Sequence, residues 1–300
     1  IDDVRPLMVT SMDGWKWSWT HNVGGGDFLV YYNAQGEKQY LTGVHTAYLS
    51  QGPNLADVIY AGTSADGKIA ASIEVLTPRC DDVNRSYHRL RYDVREAMAF
   101  TRLAFYQLGA DNYNDHQFTR IARGNKDGLT EEWEPGRGGK RYLREAMPCD
   151  RAAPWLAMLG GIRSPKIEKG AWADRAMVIR EWKARLGGKD VPTPYAAVYG
   201  TENGIPSANL ELVPPPGVTE LAPGDFVEAE VELLVLPQHA EDYYGPNEAL
   251  RKDLESNGGT WHVAQRLAAG NALDIVVDTG TLKQRLPVVV QADAQGNATF

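Results

Sequence analysis

The sequence predicts an all-β fold: a large antiparallel β-sandwich with one or two short helices. Three observations carry that expectation. Short apolar runs bounded by Gly, Asn, Asp and Pro recur along the chain, one run alternates strictly, and only one segment has a clear helical pattern. The runs fall at residues 28–32, 56–61, 69–76, 100–108, 155–159, 196–199, 227–236 and 286–291. In the alternating run, Val227, Ala229, Val231 and Leu233 share one face and Glu228, Glu230 and Glu232 the other, which describes an antiparallel strand with one wet face. Residues 246–256 combine good helix formers with early acids and stop before Gly258 and Gly259, the pattern of a short helix. The proline-rich 213–217 reads as a rigid connection between strands, 134–140 as an exposed loop over a site, and 1–300 as one large domain.

Charge and spacing then exclude classes of function. With 39 acidic against 31 basic residues the chain carries a formal charge of −8, the wrong sign for generic nucleic-acid binding. Apolar runs stop far short of the roughly 18 residues a membrane helix needs. Cys80 and Cys149 form no CxxC motif, which removes zinc-ribbon and thioredoxin readings and leaves a disulfide and a pair of buried thiols both open. The start at Ile1 has no signal-peptide character, which fits a processed chain or a piece of a longer one. A phosphate loop at 136–140 fails at both ends, where Glu134 and Arg141 stand in place of Gly and Ser or Thr. Gly24, Gly25 and Gly26 open no helix, so a dinucleotide site is excluded too. No cofactor is expected. The Asn and Asp residues of 111–115 have the hard oxygens of a structural calcium ion, though such a cluster more often makes an Asx turn.

Three constellations carry chemistry. On a strand, Trp15, Trp17, Trp19 and His21 share a face, followed by Asn22; the indoles make either a platform for sugar rings or a sandwich core. Between Arg79 and Arg102 stand six arginines. As a strand, Arg85, Tyr87, Arg89 and Arg91 line one face while His88 and Tyr92 line the other, so the first face is a basic stripe able to grip a carboxylate or sulfate, or an ordinary ladder paired with acids. Arg102 is the sixth arginine. The third constellation is Glu131, Glu132, Trp133 and Glu134, of which only Glu132 and Glu134 can share a face. The six histidines have no metal-ligand spacing.

The Trp-rich opening through residues 21–28, the arginine-rich 85–107 read as a strand pair, and the 221–226 turn into the glutamate strand together resemble the supersandwich, or galactose-mutarotase-like, domain of bacterial enzymes that degrade polysaccharides. The resemblance implies a secreted or periplasmic carbohydrate-active protein whose partner is an acidic polysaccharide, with no nucleic acid or membrane. In a β-eliminating lyase, the arginines and Asn22 would neutralise the uronate carboxylate and Tyr87 with His21 would move the protons, with His88 and Tyr92 as further candidates. A hydrolase would instead use a carboxylate pair from Glu131, Glu132 and Glu134. A non-catalytic sandwich would need only the tryptophans with Arg85, Arg89, Arg91 and Arg102. Elimination is placed ahead of hydrolysis.

Overall fold

The computed structural model describes residues 8–9, 18–19, 27–51, 55–78, 84–109, 116–134, 140–149, 152–162, 173–200, 208–237, 260–266, 272–278, 291–292 and 298–299. Among them every regular element is a β-strand. In chain order these are β1 (Met8–Val9), β2 (Ser18–Trp19), β3 (Val30–Asn33), β4 (Leu41–Gln51), β5 (Leu55–Ser64), β6 (Ile69–Pro78), β7 (Asn84–Val94), β8 (Met98–Ala104), β9 (Tyr106–Leu108), β10 (His116–Asn125), β11 (Gly128–Trp133) and β12 (Arg141–Pro148). They continue as β13 (Trp155–Ile162), β14 (Ala173–Leu186), β15 (Lys189–Asp190), β16 (Tyr195–Gly200), β17 (Ala208–Val213), β18 (Glu220–Leu221), β19 (Phe226–Pro237), β20 (Thr260–Arg266), β21 (Ala272–Asp278), β22 (Gln291–Ala292) and β23 (Ala298–Thr299). The sequence-derived helix at 246–256 lies outside the described residues.

One large antiparallel sheet runs β11-β10-β13-β14-β19-β7-β6-β5-β4, with β15 added to β14. Facing it is a smaller layer made of two ladders, β12-β16-β17-β9 and β18-β8-β3. The ladders are stitched where Phe105 interrupts the run between β8 and β9 and donates its backbone N–H to Leu212 O on β17, at 2.8 Å. The run read from sequence as a single strand at 100–108 is thus two strands separated by one buried ring.

Alternation decides which face each strand buries. Val227, Ala229, Val231 and Leu233 of β19, with Leu90, Tyr92 and Val94 of β7 and Ile69, Ile73 and Val75 of β6, point into one core. From the smaller layer, Leu103, Phe105, Leu108, Val198, Leu210 and Leu212 meet them. Each such aliphatic side chain removed from water contributes about 1.5–3 kcal/mol, so the inter-sheet interface is what sets strand orientation. A second cluster, Ala122, Trp155, Ala157, Ala176, Val178 and Leu234, is buried on the opposite face of the large sheet. Gly124 is required there: a Cβ would lie 2.3 Å from the Trp155 ring and 2.2 Å from Gly128 O.

Two expectations change at this level. Residues 85–107 are not a strand pair. β7 pairs with β6 and β19 in the large sheet, whereas β8 pairs with β3 and β18 in the smaller layer, so the chain crosses between layers at residues 95–97. The glutamate face of β19 is wet at one end only. Side-chain exposure falls from 39% at Glu228 through 14% at Glu230 to 1% at Glu232.

Candidate functional site

On the outer face of the large sheet, Arg89 and Arg91 do share one side of β7, and each is engaged by acids of the neighbouring strands. Arg89 Nε donates to Glu230 at 2.9 Å and its Nη1 to Glu74 at 3.3 Å. Arg91 donates to Asp93 at 2.6 and 2.9 Å and pairs with Glu228. One strand further, Arg180 is bonded to the buried Glu232, with Nε to Oε2 at 2.7 Å. At Arg89 and Arg91 the stripe is therefore an internal charge ladder whose guanidinium groups are already answered. Arg85 lies in β7, and its side chain is outside the described residues.

Three of the groups assigned to proton transfer, Tyr87, His88 and Tyr92, sit elsewhere than in a cleft. β7 pairs on both sides without a register shift, so Tyr87 and His88 point to opposite faces, and no bulge brings them together. His88 is buried between the sheets, contacting Ser86 Oγ at 2.9 Å and Tyr106 OH at 3.0 Å, with its ring edge-on to Phe28. Burial drives its pKa down from 6.5 to about 3, so it is a neutral structural group at ordinary pH. Tyr92 is buried in the same core and donates to Phe28 O. Tyr87 is buried on the other face. A polymer substrate reaches none of the three in this arrangement. Trp15, Trp17, His21 and Asn22, with the side chain of Trp19, lie outside the described residues.

Glu131 and Glu132 point to opposite faces of β11, as adjacent strand residues must. Glu131 binds Arg144 at 2.7 Å and Arg123 at 3.0 Å, and these cations hold its carboxyl below the usual range. Arg144 also lies 4.1 Å over the Trp133 ring. Glu132 pairs with Arg120 at 3.5 Å on the other face, and Glu134 is exposed beyond the strand end. The three acids therefore do not form one carboxylate pair. Among the described residues there is no group of three or more His, Cys, Asp or Glu placed to hold a metal ion; residues 111–115 lie outside them. Cys149 is buried, and Cys80 lies outside the described residues.

The smaller layer holds a different assembly, on its face away from the core. Strand pairing sets Tyr32 of β3 opposite Arg102 of β8, Tyr142 of β12 opposite Tyr199 of β16, and Gln107 of β9 opposite Glu211 of β17. Leu210 and Leu212 turn inward, so the period of two turns Glu211 outward into this group. Glu211 is fully buried and is bonded by Arg102 Nη2, by Gln107 Nε2 at 2.7 Å and by the Tyr142 hydroxyl at 3.2 Å. The Arg102 guanidinium lies 3.3 Å from the centre of the Tyr199 ring and 5.7 Å from that of Tyr32, and Tyr142 meets Tyr199 edge-on at 5.2 Å. Arg102 Nε is buried without a hydrogen-bond partner among the described residues. The rings of Tyr32, Tyr142, Tyr195 and Tyr199 are half-buried, so each keeps part of its surface outward.

The electrostatics make this patch fixed in charge. Burial raises the Tyr142 hydroxyl well above its ordinary value, with the Glu211 carboxylate adding to the effect. Burial and Glu211 likewise raise Tyr199. Burial lowers the Arg102 pKa, but its contacts with Glu211 outweigh that and leave it above the ordinary value, firmly cationic. The site thus offers phenol donors, aromatic faces and an aligned guanidinium, and none of these three side chains titrates near neutrality. Of the residues singled out from sequence, only Arg102 is in it. Tyr32, Gln107, Tyr142, Tyr199 and Glu211 were not anticipated. The one signal was Glu211 set between Leu210 and Leu212, an acid on a strand with an apolar alternate face.

No family model matches the chain, and no curated protein does. Among solved structures, the chain is similar to the GH36 α-galactosidase AgaB of Geobacillus stearothermophilus, at 10% identity and a TM-score of 0.43 over 72% of this chain and 31% of that one. It is similar also to the α-galactosidase of Lactobacillus brevis, at 10% identity and 0.40 over 77% of this chain and 31% of that one. A third is the galactosidase domain of the α-galactosidase-sucrose kinase AgaSK, at 11% identity and 0.39, over 77% and 32%. The chain spans about a third of the length of these structures.

Proposed function

We propose that this chain is a carbohydrate-binding β-sandwich, and that the tyrosine and Arg102–Glu211 patch of its smaller layer is the surface that takes the sugar. The single observation behind this reading is the arrangement of Tyr32, Tyr142 and Tyr199 around one guanidinium that Glu211 holds in place. Phenol rings supply apolar faces for the C–H side of a pyranose, and their hydroxyls and the guanidinium supply donors for its oxygens. Binding is favoured over elimination because Tyr87, His88 and Tyr92 are buried, and over hydrolysis because Glu131, Glu132 and Glu134 do not converge.

The test is retention of the protein on immobilised neutral and acidic glycans, with Tyr199→Leu and Tyr32→Ala beside the wild type. Tyr199→Leu keeps bulk over Arg102 and removes the phenol, so retention should drop while the thermal midpoint barely moves. Equal retention of wild type and both variants would overturn the proposal. In parallel, appearance of unsaturated-uronate absorbance or of new reducing ends during incubation with the same glycans would replace binding by elimination or hydrolysis.

A further inference from the structure

On the large sheet, beside the arginine ladder, lies an open groove of about 430 Å³ lined by residues of β4, β5 and β6, with Asp93 and Arg95 closing its β7 side. That volume falls within the range of about 300–1,000 Å³ usual for small-ligand sites. Its shape follows from the register. Along one cross-strand row stand His45, Ala61, Ser72 and Arg91, and along the next Thr63, Ala70 and Asp93. Three of these positions are Ala or Ser where neighbouring rows carry Ile59, Glu74 and Arg89, so the face is hollow here.

β4 is bent to suit it. Its pairing with β5 slips by one residue between Thr42 and His45, and Gly43 takes a φ of 59°, a conformation side chains resist. This bulge places His45 opposite Ala61 and so on the groove side; bulges commonly re-aim a side chain in this way. Charge distinguishes the groove from the ladder next to it. Arg91 already occupies Asp93, whereas no ion pair engages His45 or Arg95 among the described residues, and both are exposed. One end therefore carries an imidazole and the other a free guanidinium, with the hydroxyl residues Thr63 and Ser72 between them.

We infer that this groove is a second saccharide site, specific for a sugar unit bearing a carboxylate. The guanidinium of Arg95 matches a planar carboxylate in two-pronged fashion, the hydroxyls match sugar oxygens, and the small floor admits a ring. The inference rests on the carbohydrate-binding reading and adds the anionic class of one unit. It places the acidic-glycan contact on Arg95 and His45, leaving Arg89 and Arg91 as ladder residues.

Calorimetric titration with a galacturonate tetramer, a neutral hexose tetramer and inorganic sulfate tests it on wild type, Arg95→Ala, Ser72→Phe and Tyr199→Leu. Arg95 and Ser72 are exposed, so neither change endangers the core. Arg95→Ala, which loses one charge-assisted contact, and Ser72→Phe, which fills the floor of the groove, should each weaken the galacturonate tetramer about tenfold or more and leave the neutral tetramer unchanged. Unchanged galacturonate affinity in both variants overturns the inference. Sulfate binding as tightly as the galacturonate tetramer overturns its sugar part. If only Tyr199→Leu weakens binding, the patch of the smaller layer stands and the groove fails; if Tyr199→Leu alone has no effect, the groove stands and that patch fails.

Discussion

The two outer faces of the sandwich use the same pairing of arginine with glutamate and leave it in opposite states. On the large sheet, Arg89, Arg91 and Arg180 are each met by at least one carboxylate from Glu74, Asp93, Glu228, Glu230 and Glu232. On the smaller layer a single pair, Arg102 and Glu211, is ringed by tyrosines and a glutamine. Abundance of arginine in a sequence thus says little about anion binding; what matters is whether the cross-strand neighbour is an acid or an aromatic ring. The ladder answers its own charges, while the half-buried tyrosines around Arg102 and Glu211 keep part of their rings outward.

The largest effect comes from breaking the buried pair of the smaller layer. Glu211→Leu strands the Arg102 charge and should cost about 3–5 kcal/mol in denaturant unfolding, because an uncompensated buried charge remains. A loss below 1 kcal/mol for Glu211→Leu would mean that its burial and bonding are wrongly assigned.

Acid sharpens the contrast between core and surface. The pKa of His88 is 6.5 unfolded and about 3 folded, so between those values the unfolded chain binds the proton and the folded chain does not. Stability from this group is complete above 6.5 and falls as pH drops toward 3, by about 1.4 kcal/mol per pH unit. In His88→Phe that part of the slope should vanish, though the variant loses stability at neutral pH by leaving Ser86 and Tyr106 without the ring nitrogens. An unchanged acid slope would place His88 in contact with solvent.

The smallest effect belongs to the ladder's exposed rung. Arg91 is 41% exposed and its partners Asp93 and Glu228 are 48% and 39% exposed, so Arg91→Ala should cost at most about 1 kcal/mol. A loss comparable to that of Glu211→Leu would erase the distinction between the faces.

Strands were legible where one face is apolar: the runs at 56–61, 69–76 and 227–236 sit inside β5, β6 and β19. β14 was not, because a bulge between Ile179 and Glu181 breaks its alternation and its outer residues are charged. The tyrosine patch was hidden for a related reason. Arg102 follows Arg91 closely in sequence, yet the crossover at residues 95–97 sends it to the other layer, where its partners come from β3, β9, β12, β16 and β17. Local periodicity shows which way a residue points within its strand, and carries no information about which sheet the strand joins.

Calorimetric titration of one neutral oligosaccharide into Tyr199→Leu and Arg91→Ala, compared with wild type, tests the division between the faces most directly. Loss of about tenfold in affinity in Tyr199→Leu with less than about twofold change in Arg91→Ala is the predicted result. Loss in Arg91→Ala with Tyr199→Leu unchanged would contradict it and return the sugar to the ladder.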